Sequence, residues 1–558
     1  MCPHVLGAAD ARRPAHGQPG RLQRSRSPSK ATTDTLRGLV VERLIASIPM
    51  EAYRMRIDPV VVKKLKLTEV AQRVTSKPLD RLPMLISERS LEGREGKLVE
   101  DVAASYSSGA SVMAATFSMP RKGFGPRPIT LLAARDRIAY DALVDQLRPA
   151  LPPESRTPEN WAAFRAFGRP GAPGTTKYIV TLDIASMYEY VDHAILRREL
   201  LVQTMDVPHV EATVELLGEA FGSARGLPQM VSSSDVLADA YLSILERALL
   251  RHGYEVLRYA DDFKVLASDW ATANQIIERA AEVARGIGLI LSAEKTAIHK
   301  VTKFEDDDAV LQKMVDKYFT AAQSDLTTFD ELMDWYGEPV TTEEVPDDQT
   351  AMNEAFRRVL KDWTKNRSRS ELPSQLVAKA LRSLRNAPDR VSDKTLTQLV
   401  FIDPLKLSSV ILYLRARPSE QEKNRRSISR LVAMERQSPW AKLWLLTYSS
   451  ELTIDESVKH ARQLSRWVER QLEDEHEVVR AEAAWTLAKW GELTERRLAR
   501  LFGAATSITR TGLAAAWGRT GAALDHDLSK VIAGSSPVYR QAFAWGGEQR
   551  AVAAEQAS

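Results

Sequence analysis

The chain has 558 residues, and its 77 lysines and arginines exceed its 73 acidic residues by only four. Its single cysteine, Cys2, excludes a disulfide framework and any zinc site built on several cysteines, and is typical of a reducing cytosol. No run approaches the ~18 apolar residues of a membrane span, so we expect no membrane contact. At roughly 100–200 residues per domain, the length predicts two or three domains.

The composition divides the chain into five stretches. Residues 1–34 contain six basic residues and two aspartates, which predicts a disordered basic tail; sequence upstream of the true start and a transit peptide are the alternatives. Residues 35–303 mix helix and strand patterns, and residues 304–350 form an acidic connector. Residues 351–545 carry almost only helix patterns, among which HEVVRAEAAWTLAKWGEL is typical of a HEAT-like helix pair; a non-repeating helical bundle is the alternative. Residues 546–558 are predicted to be a tail.

In chain order, helix periodicity runs from Thr35 to about Met119, followed by a turn-rich stretch and a further helix. The segment Lys177–Asp183 is short, apolar and β-branched, which predicts a buried strand. The run YEVLRYADDFKVLAS predicts a hairpin with two acids at its turn. An amphipathic helix over Trp270–Ile287 and a short strand over Leu289–Ser292 follow. The fold class is therefore an α+β domain followed by an all-α domain.

Three aspartates carry the chemical signal. Asp261 and Asp262 are adjacent at the predicted hairpin turn, where two carboxylates repel each other unless a cation lies between them. Asp183 ends the predicted buried strand, and a carboxylate there is a poor core residue but a good metal ligand. Mg²⁺ binds carboxylates together with substrate phosphates, so these three residues predict a two-metal site, in which Mn²⁺ is an alternative ion. An isolated Asp-Asp pair would usually be only a solvated turn.

The motifs around these acids resemble the palm of bacterial reverse transcriptases. The resemblance covers Arg121–Val301, about a third of the chain. It rests on five segments in the family's order: RPITLLAARDRIAYDALV for the fingers, LDIASMYEYVDH for motif A, GLPQM with SSSDVLADAYLSILE for motif B, YADD for motif C and LILSAEKT for motif D. It implies a fingers–palm domain in which Asp183, Asp261 and Asp262 are catalytic metal ligands.

The resemblance also implies roles for five further residues. Tyr188 would be the steric gate that collides with a ribose 2′-hydroxyl; the alternative is a core aromatic. Arg127 and Lys122 would bind the triphosphate, and Gln229 would order the nucleotide or template. Lys295 would act catalytically near the leaving pyrophosphate, as a charge or as an acid. For Lys122 and Lys295 the alternative is an ordinary surface lysine.

At several positions the sequence departs from the usual motifs of bacterial reverse transcriptases, and these departures indicate which group of the family it resembles. Met230 stands where most relatives have glycine, and its side chain would crowd a template or base pair. One cysteine cannot build the endonuclease of group II intron proteins, and Val301-Thr302-Lys303 lacks the glycine usual in retron enzymes. A palm followed by a long helical repeat resembles the abortive-infection and "unknown group" defence-associated reverse transcriptases. That group implies phage defence in the bacterial cytoplasm, untemplated and protein-primed DNA synthesis, and homo-oligomers.

Three hypotheses follow. The first is a Mg²⁺-dependent DNA polymerase that uses deoxynucleoside triphosphates and releases a DNA product, or keeps it covalently attached. The second is a group II intron or retron-type enzyme that copies an RNA template or non-coding RNA. The third is an inert palm that serves as a binding scaffold together with the helical repeat. For protein priming, Tyr106 in the polar stretch SYSSGAS is the preferred acceptor, because a primer must be mobile; packing beneath a loop is the alternative. His193 is expected to pack or cap a helix.

Overall fold

The computed structural model describes six stretches of the chain: residues 54–121, 125–168, 176–302, 349–365, 374–454 and 458–555. The predicted tail at 1–34 lies outside them, as does the acidic connector at 304–350 except for its last two residues. From Arg54 onward the chain forms one compact unit, whose hydrophobic core continues from the first described helices into the last. None of the described helices is both long enough and apolar enough to cross a membrane.

The N-terminal part combines short helices with a two-stranded hairpin. Its elements are α1 (Pro59–Lys64), α2 (Leu67–Ser76), α3 (Ile86–Arg89), α4 (Glu95–Ser108), β1 (Ala114–Met119), β2 (Arg127–Leu132) and α5 (Ala134–Leu147). The strands β1 and β2 are antiparallel, with Met119 opposite Arg127. The predicted helix periodicity is therefore wrong over Ala114–Met119. In β1 the buried residues Phe117 and Met119 are two positions apart, which is the period of a strand.

A four-stranded antiparallel sheet forms the centre of the α+β part, with the strand order β4-β5-β3-β6. Its strands are β3 (Tyr178–Asp183), β4 (Val256–Tyr259), β5 (Asp262–Ala267) and β6 (Ala297–Lys300). The predicted buried strand and the predicted acidic hairpin are both confirmed. The strand predicted over Leu289–Ser292 is wrong, since only Leu291 forms an isolated bridge there and β6 pairs with β3 instead.

Six helices surround this sheet or precede it. They are α6 (Pro158–Ala166), α7 (Met187–Tyr190), α8 (His193–Thr204), α9 (Val207–Phe221), α10 (Ser232–Arg251) and α11 (Trp270–Gly286). Aspartates cap three of them: Asp192 accepts from backbone N–H groups in the first turn of α8, Asp206 from His209 N in α9, and Asp269 from Thr272 N in α11. Such caps satisfy backbone groups that have no partner inside a helix.

The C-terminal part is entirely helical in the described residues. Its helices are α12 (Gln349–Lys365), α13 (Ser374–Ser383), α14 (Asp393–Ile402), α15 (Lys406–Arg415), α16 (Gln421–Val432), α17 (Pro439–Ser449), α18 (Lys459–Gln471), α19 (Glu477–Trp490), α20 (Glu495–Ala504), α21 (Arg510–Arg519), α22 (Asp527–Ser535) and α23 (Pro537–Glu555). From α12 to α18, each helix packs against the one two positions further along, and so do α17, α19, α21 and α23. The helices therefore stack in two layers.

The predicted C-terminal tail at 546–558 is wrong up to residue 555, because α23 continues to Glu555. Glycines allow α21 and α23 to approach closely at this point. A Cβ atom on Gly518 would lie 1.9 Å from the Phe543 carbonyl oxygen, and one on Gly546 would lie 2.0 Å from that of Ala515. Residues beyond 545 are thus part of the helical packing.

The helical part packs against the N-terminal elements through buried polar contacts. The carboxylate of Glu482 in α19 accepts a 2.6 Å hydrogen bond from Ile86 N, and Thr511 Oγ1 donates to Ser87 O at 2.9 Å. Trp440 Nε1 donates to Arg81 O at 2.8 Å. These contacts join segments that are hundreds of residues apart in sequence and fix the helical part onto the fingers side of the α+β part.

Candidate active site

Two aspartates face each other at one edge of the sheet. Asp183 is the last residue of β3 and Asp262 is the first residue of β5, and the antiparallel register pairs them directly. Asp261 lies in the two-residue turn that joins β4 to β5, next to Ala260, whose φ is +54°. This left-handed conformation is rare for alanine and lets the chain reverse within two residues. The hairpin therefore brings all three predicted acids to the same edge.

Burial and mutual repulsion set the electrostatics of this edge. Asp183 is only 3% exposed, yet its Oδ1 lies 2.6 Å from the ammonium of Lys295. Burial, together with the neighbouring carboxylates of Asp261 and Asp183, raises the pKa of Asp262 to about 7, although Lys295 opposes this shift. The edge thus lacks enough positive charge to compensate all of its carboxylates, which favours a bound cation there.

This donor set is suitable for Mg²⁺. In the described residues no group of three or more His, Cys, Asp or Glu side chains is arranged to hold a metal ion, so the three-carboxylate centre stays a prediction. Asp183 and Asp262 nevertheless form an opposed pair of carboxylates with hard oxygen donors. Mg²⁺ is usually bound by one or two carboxylates, with substrate phosphates and water completing its coordination. Two opposed carboxylates are therefore sufficient for such an ion once a triphosphate is bound.

A buried network supports the acidic turn from below. Arg258 in β4 donates to Asp239 of α10 at 2.5 Å and to the Ala260 carbonyl oxygen at 3.1 Å. Ser155 Oγ donates to the same Asp239 at 2.6 Å and accepts from Ala260 N at 3.1 Å. Both polar groups of the left-handed residue are thus satisfied. None of these three residues was predicted from the sequence, although a charged residue inside an apolar strand, as at Arg258, is a usable signal.

Aromatic rings hold the other side of the turn. Tyr259 lies 4.9 Å from the Trp161 ring and 6.1 Å from the Phe164 ring, centroid to centroid, and both partners are in α6. Lys264 in β5 donates to Phe164 O at 2.7 Å, with its ammonium 4.6 Å from the ring centroid. Helix α6 therefore packs directly beneath the acidic turn and restricts its movement.

Tyr188 is fixed by its hydroxyl group. The hydroxyl donates to the carboxylate of Asp235 and accepts from Arg156 at 2.7 Å, while Arg156 and Asp235 are themselves an ion pair at 2.8 Å. Burial is the main cause that raises the pKa of Tyr188 well above its usual value, and the charge of Asp261 contributes to this shift. Burial also raises the pKa of Asp235 to about 6. The Tyr188 side chain is thus anchored within electrostatic range of the acidic edge.

Residues 119–316 match the family model described as reverse transcriptase (RNA-dependent DNA polymerase). The chain carries a reverse transcriptase domain. The predicted fold and enzyme class are confirmed for this stretch, which includes β2 to β6 and all three aspartates.

Sixty-eight chains of solved structures also match. One is telomerase from Candida albicans in complex with the TWJ fragment of telomeric RNA, at 13% identity and a TM-score of 0.25. That match covers 64% of this chain and 66%, just under two thirds, of the telomerase chain. No curated protein sequence matches.

The other residues predicted for the reverse transcriptase domain lie in several places. Arg127 is the first residue of β2 and is half-buried. Gln229 is 8% exposed in the loop before α10, and Lys122 falls outside the described residues. Lys295 lies in the turn before β6 and reaches Asp183. The structure thus gathers the three aspartates and Lys295, with Tyr188 nearby.

The structure also shows the surroundings of Met230, His193 and Tyr106, for which the sequence led to expectations. Met230 has a φ of +68°, the left-handed region that favours glycine, and its side chain packs against the core. His193 is buried at the start of α8 with its Nε2 2.8 Å from Gly226 O, as expected of a packing residue. The choice of Tyr106 as a mobile primer is wrong, because it is 1% exposed within α4 and its hydroxyl donates to Asp136 at 2.9 Å.

Proposed function

We propose that the chain is a Mg²⁺-dependent DNA polymerase that joins deoxynucleotides to a 3′ hydroxyl. One observation carries this proposal: Asp183 and Asp262 face each other across paired strands, with Asp261 next to them in the turn. Clustered buried carboxylates destabilise a fold unless a cation compensates them. Their presence in a reverse transcriptase domain is therefore best explained by a role in binding catalytic metal ions.

Each group has a proposed role, which for Asp183, Lys295 and Tyr188 is supported by its contacts. Asp183, Asp261 and Asp262 would hold two Mg²⁺ ions, which supply Lewis acidity to the attacking and leaving oxygens. The side chain of Lys295 is 43% exposed, so its ammonium would be able to turn from Asp183 towards a leaving pyrophosphate and donate charge or a proton there. Tyr188, anchored by Asp235 and Arg156, would present its ring to the sugar. Arg127 and Lys122 would bind the triphosphate, and Gln229 would order the nucleotide or template.

The test of this mechanism uses isosteric variants. Asp261→Asn and Asp183→Asn should each lower nucleotide incorporation by at least about a hundredfold, the scale of losing one charge that stabilises the transition state. Asp261→Asn should not lower the melting temperature, because it removes repulsion between carboxylates, and Asp183→Asn should change it little, because the ion pair that it loses is with a half-exposed lysine. Asp269→Asn, at the exposed cap of α11, is the matched control, since asparagine caps helices as well as aspartate does. Wild-type incorporation by both site variants would refute the proposal.

Tyr188 is proposed to select deoxynucleotides. Tyr188→Ala should open space for a 2′-hydroxyl and increase ribonucleotide use relative to deoxynucleotide use. Tyr190→Ala is a control on the same short helix, since Tyr190 is 46% exposed. An incorporation ratio that is unchanged in Tyr188→Ala would identify the ring as a core aromatic and assign the discrimination to another residue.

The wider role proposed is antiphage defence in the bacterial cytoplasm by abortive infection. It is supported by a reverse transcriptase domain followed by twelve described helices, ten of which pack against the helix two positions away, an order that favours the HEAT-like interpretation. Homo-oligomers and protein priming belong to the same proposal. Label from deoxynucleotides that stays on the denatured polypeptide, and is released by nuclease, would support priming on the protein. Label that all separates as free DNA would contradict it.

Sequencing the nucleic acid that purifies with the protein separates the templated and untemplated forms of the proposal. Random DNA would support untemplated synthesis. A defined sequence that matches a neighbouring RNA gene would support an intron or retron-type enzyme that copies an RNA template. Protein that carries no nucleic acid and incorporates no nucleotide would favour the scaffold hypothesis.

A further inference from the structure

Three arginines form a straight row on the surface of α18. Arg462, Arg466 and Arg470 are four residues apart, so they lie on one face of the helix with a rise of about 6 Å between neighbours. All three are exposed, and among the described residues none has an ion-pair partner. They line an open groove of about 670 Å³, together with Gln463 and Glu469.

The acids beside this row are already paired with other cations. Glu469, in the groove itself, forms an ion pair with Arg497 of the neighbouring helix α20. Glu473, just after α18, pairs with Arg500 of the same helix. The positive charge of the three arginines is therefore not compensated by the carboxylates nearest to it.

The positive charge extends over the layer to which α18 belongs. The helices α16, α18 and α20 lie side by side, and together they contain eleven lysines and arginines against three glutamates, whereas the whole chain has a net charge of only +4. Three of these eleven, Arg426, Arg497 and Arg500, are paired with carboxylates, so the uncompensated charge is concentrated at the row on α18.

We propose that Arg462, Arg466 and Arg470 bind the phosphodiester backbone of a single-stranded nucleic acid, the template or the product of the polymerase. This inference rests on the proposed function for its ligand. Guanidinium groups bind phosphate oxygens in pairs, and a straight row suits one extended strand, whereas the phosphates of a duplex curve away. The aromatic residue of α18, Trp467, is buried and cannot stack on bases. Contacts to phosphates alone carry no sequence preference.

The experiment measures the salt dependence of binding by the full-length chain. The triple variant Arg462→Gln, Arg466→Gln, Arg470→Gln is compared with Lys63→Gln, Lys64→Gln, Arg251→Gln, which removes the same charge from exposed positions elsewhere. Each phosphate contact contributes about −0.7 to the slope of log K against log salt for a single strand. The row variant should therefore flatten the slope by about 2, while the control variant leaves it unchanged.

Between about 50 and 200 mM salt, this difference means that wild type loses about 20-fold more affinity than the row variant. The probes are oligothymidylate and oligouridylate, and equal slopes for both identify the backbone rather than the sugar as the ligand. The single variant Arg466→Gln should flatten the slope by about 0.7. Melting temperatures equal to that of wild type confirm that the variants are folded.

Two results would overturn the proposal: a slope that is unchanged in the row variant, or a loss of binding confined to anionic phosphatidylserine vesicles. Nucleotide incorporation by wild type, measured in parallel, separates this inference from the proposed function. Incorporation with an unchanged slope rejects the arginine surface alone. A flattened slope without incorporation rejects the polymerase and keeps a nucleic-acid-binding surface.

Discussion

The sheet of the reverse transcriptase domain and the C-terminal helices α18, α19 and α21 differ in where most of their charged side chains lie. The sheet buries Asp183, Arg258 and Lys264 at or beneath its acidic edge, where each needs a specific partner. Helices α19 and α21 fill their interior mainly with alanine, leucine and tryptophan, with Glu482 as a buried exception, and the row on α18 stays exposed. An unpaired buried charge is strongly destabilising. The buried charges of the sheet therefore mark the part of the chain in which stability is lowered where the reactive groups lie.

The backbone shows the same contrast. In the described residues, every non-glycine residue with a positive φ lies before residue 302. Three of them, Ser186, Met230 and Ala260, lie in the segments that resemble motifs A, B and C of reverse transcriptases. Such conformations are disfavoured by roughly 1–2 kcal/mol for residues with a Cβ atom. The helical part contains none among its described residues, so its backbone is relaxed where that of the domain is strained.

The largest effect is expected from separating the two parts. Ending the chain at Val345 should expose the apolar surface that the helices cover, because one core continues through both parts. The truncated protein should be largely insoluble and should lose nucleotide incorporation. Sedimentation after expression and an incorporation assay test this. A soluble and fully active truncation would show that the helices are a separate binding module.

Equivalent ion pairs in the two parts should differ sharply. Arg258→Gln leaves Asp239 buried without its cation and should destabilise the fold by about 3–5 kcal/mol, with reduced incorporation because the acidic turn loses support. Arg500→Gln removes an exposed pair with Glu473 and should cost at most about 1 kcal/mol. Chemical denaturation of both variants measures the difference. Equal losses would mean that burial does not decide the value of these pairs.

The contact between the two parts should depend on pH through Glu482. Burial raises the pKa of Glu482 to about 8, so the native state holds a proton that the unfolded chain releases near pH 4.5. Its contribution to stability is full below pH 4.5 and is lost as the pH rises towards 8. Between those values the free energy of unfolding should fall by up to about 1.4 kcal/mol per pH unit. Glu482→Gln should flatten this dependence, while the exposed Glu495→Gln should not.

Glycines offer the smallest contrast. Gly518→Ala in α21 should destabilise the fold by about 1–3 kcal/mol, because the new methyl group would meet the Phe543 carbonyl of α23. Gly218→Ala in α9 has open space around its Cβ and should stabilise that helix by up to about 1 kcal/mol. Thermal unfolding of the two variants should therefore shift in opposite directions. A shift in the same direction would mean that the close approach of α21 and α23 relaxes easily.

Local patterns predicted much of the fold and fewer of the contacts. The strand ending at Asp183 and the YADD hairpin were predictable because short β-branched runs flank their turns. The hairpin β1–β2 was not predictable from the sequence. Its first strand, AATFSM, continues an alanine-rich helical pattern, and six residues are too few to show a clear alternation of apolar and polar side chains. The strand β6 was misplaced because Leu289 and Leu291 are apolar, yet the pairing with β3 begins only at Ala297.

The same limit applies to the site. Asp261 and Asp262 could be found because they are adjacent, and Asp183 because it ends an apolar strand. The supporting group of Ser155, Asp239 and Arg258 comes from a loop, a helix and a strand, so no local spacing indicates it. The burial of Tyr106 was likewise invisible in a polar stretch, because its hydroxyl has a partner 30 residues away.

The contacts between α3 and the C-terminal helices have a consequence for synthesis on the ribosome. The hydrogen-bond partner of Ile86 N is the carboxyl group of Glu482, 396 residues further along the chain. The partner of Ser87 O is the hydroxyl group of Thr511, 424 residues further along. At about 5–20 residues added per second, the second partner emerges roughly 20–85 s after the first. Throughout that interval the apolar surface that these late helices cover stays exposed on the nascent N-terminal part. Correct maturation of this protein therefore favours slow-acting chaperones that shield the N-terminal part until translation ends.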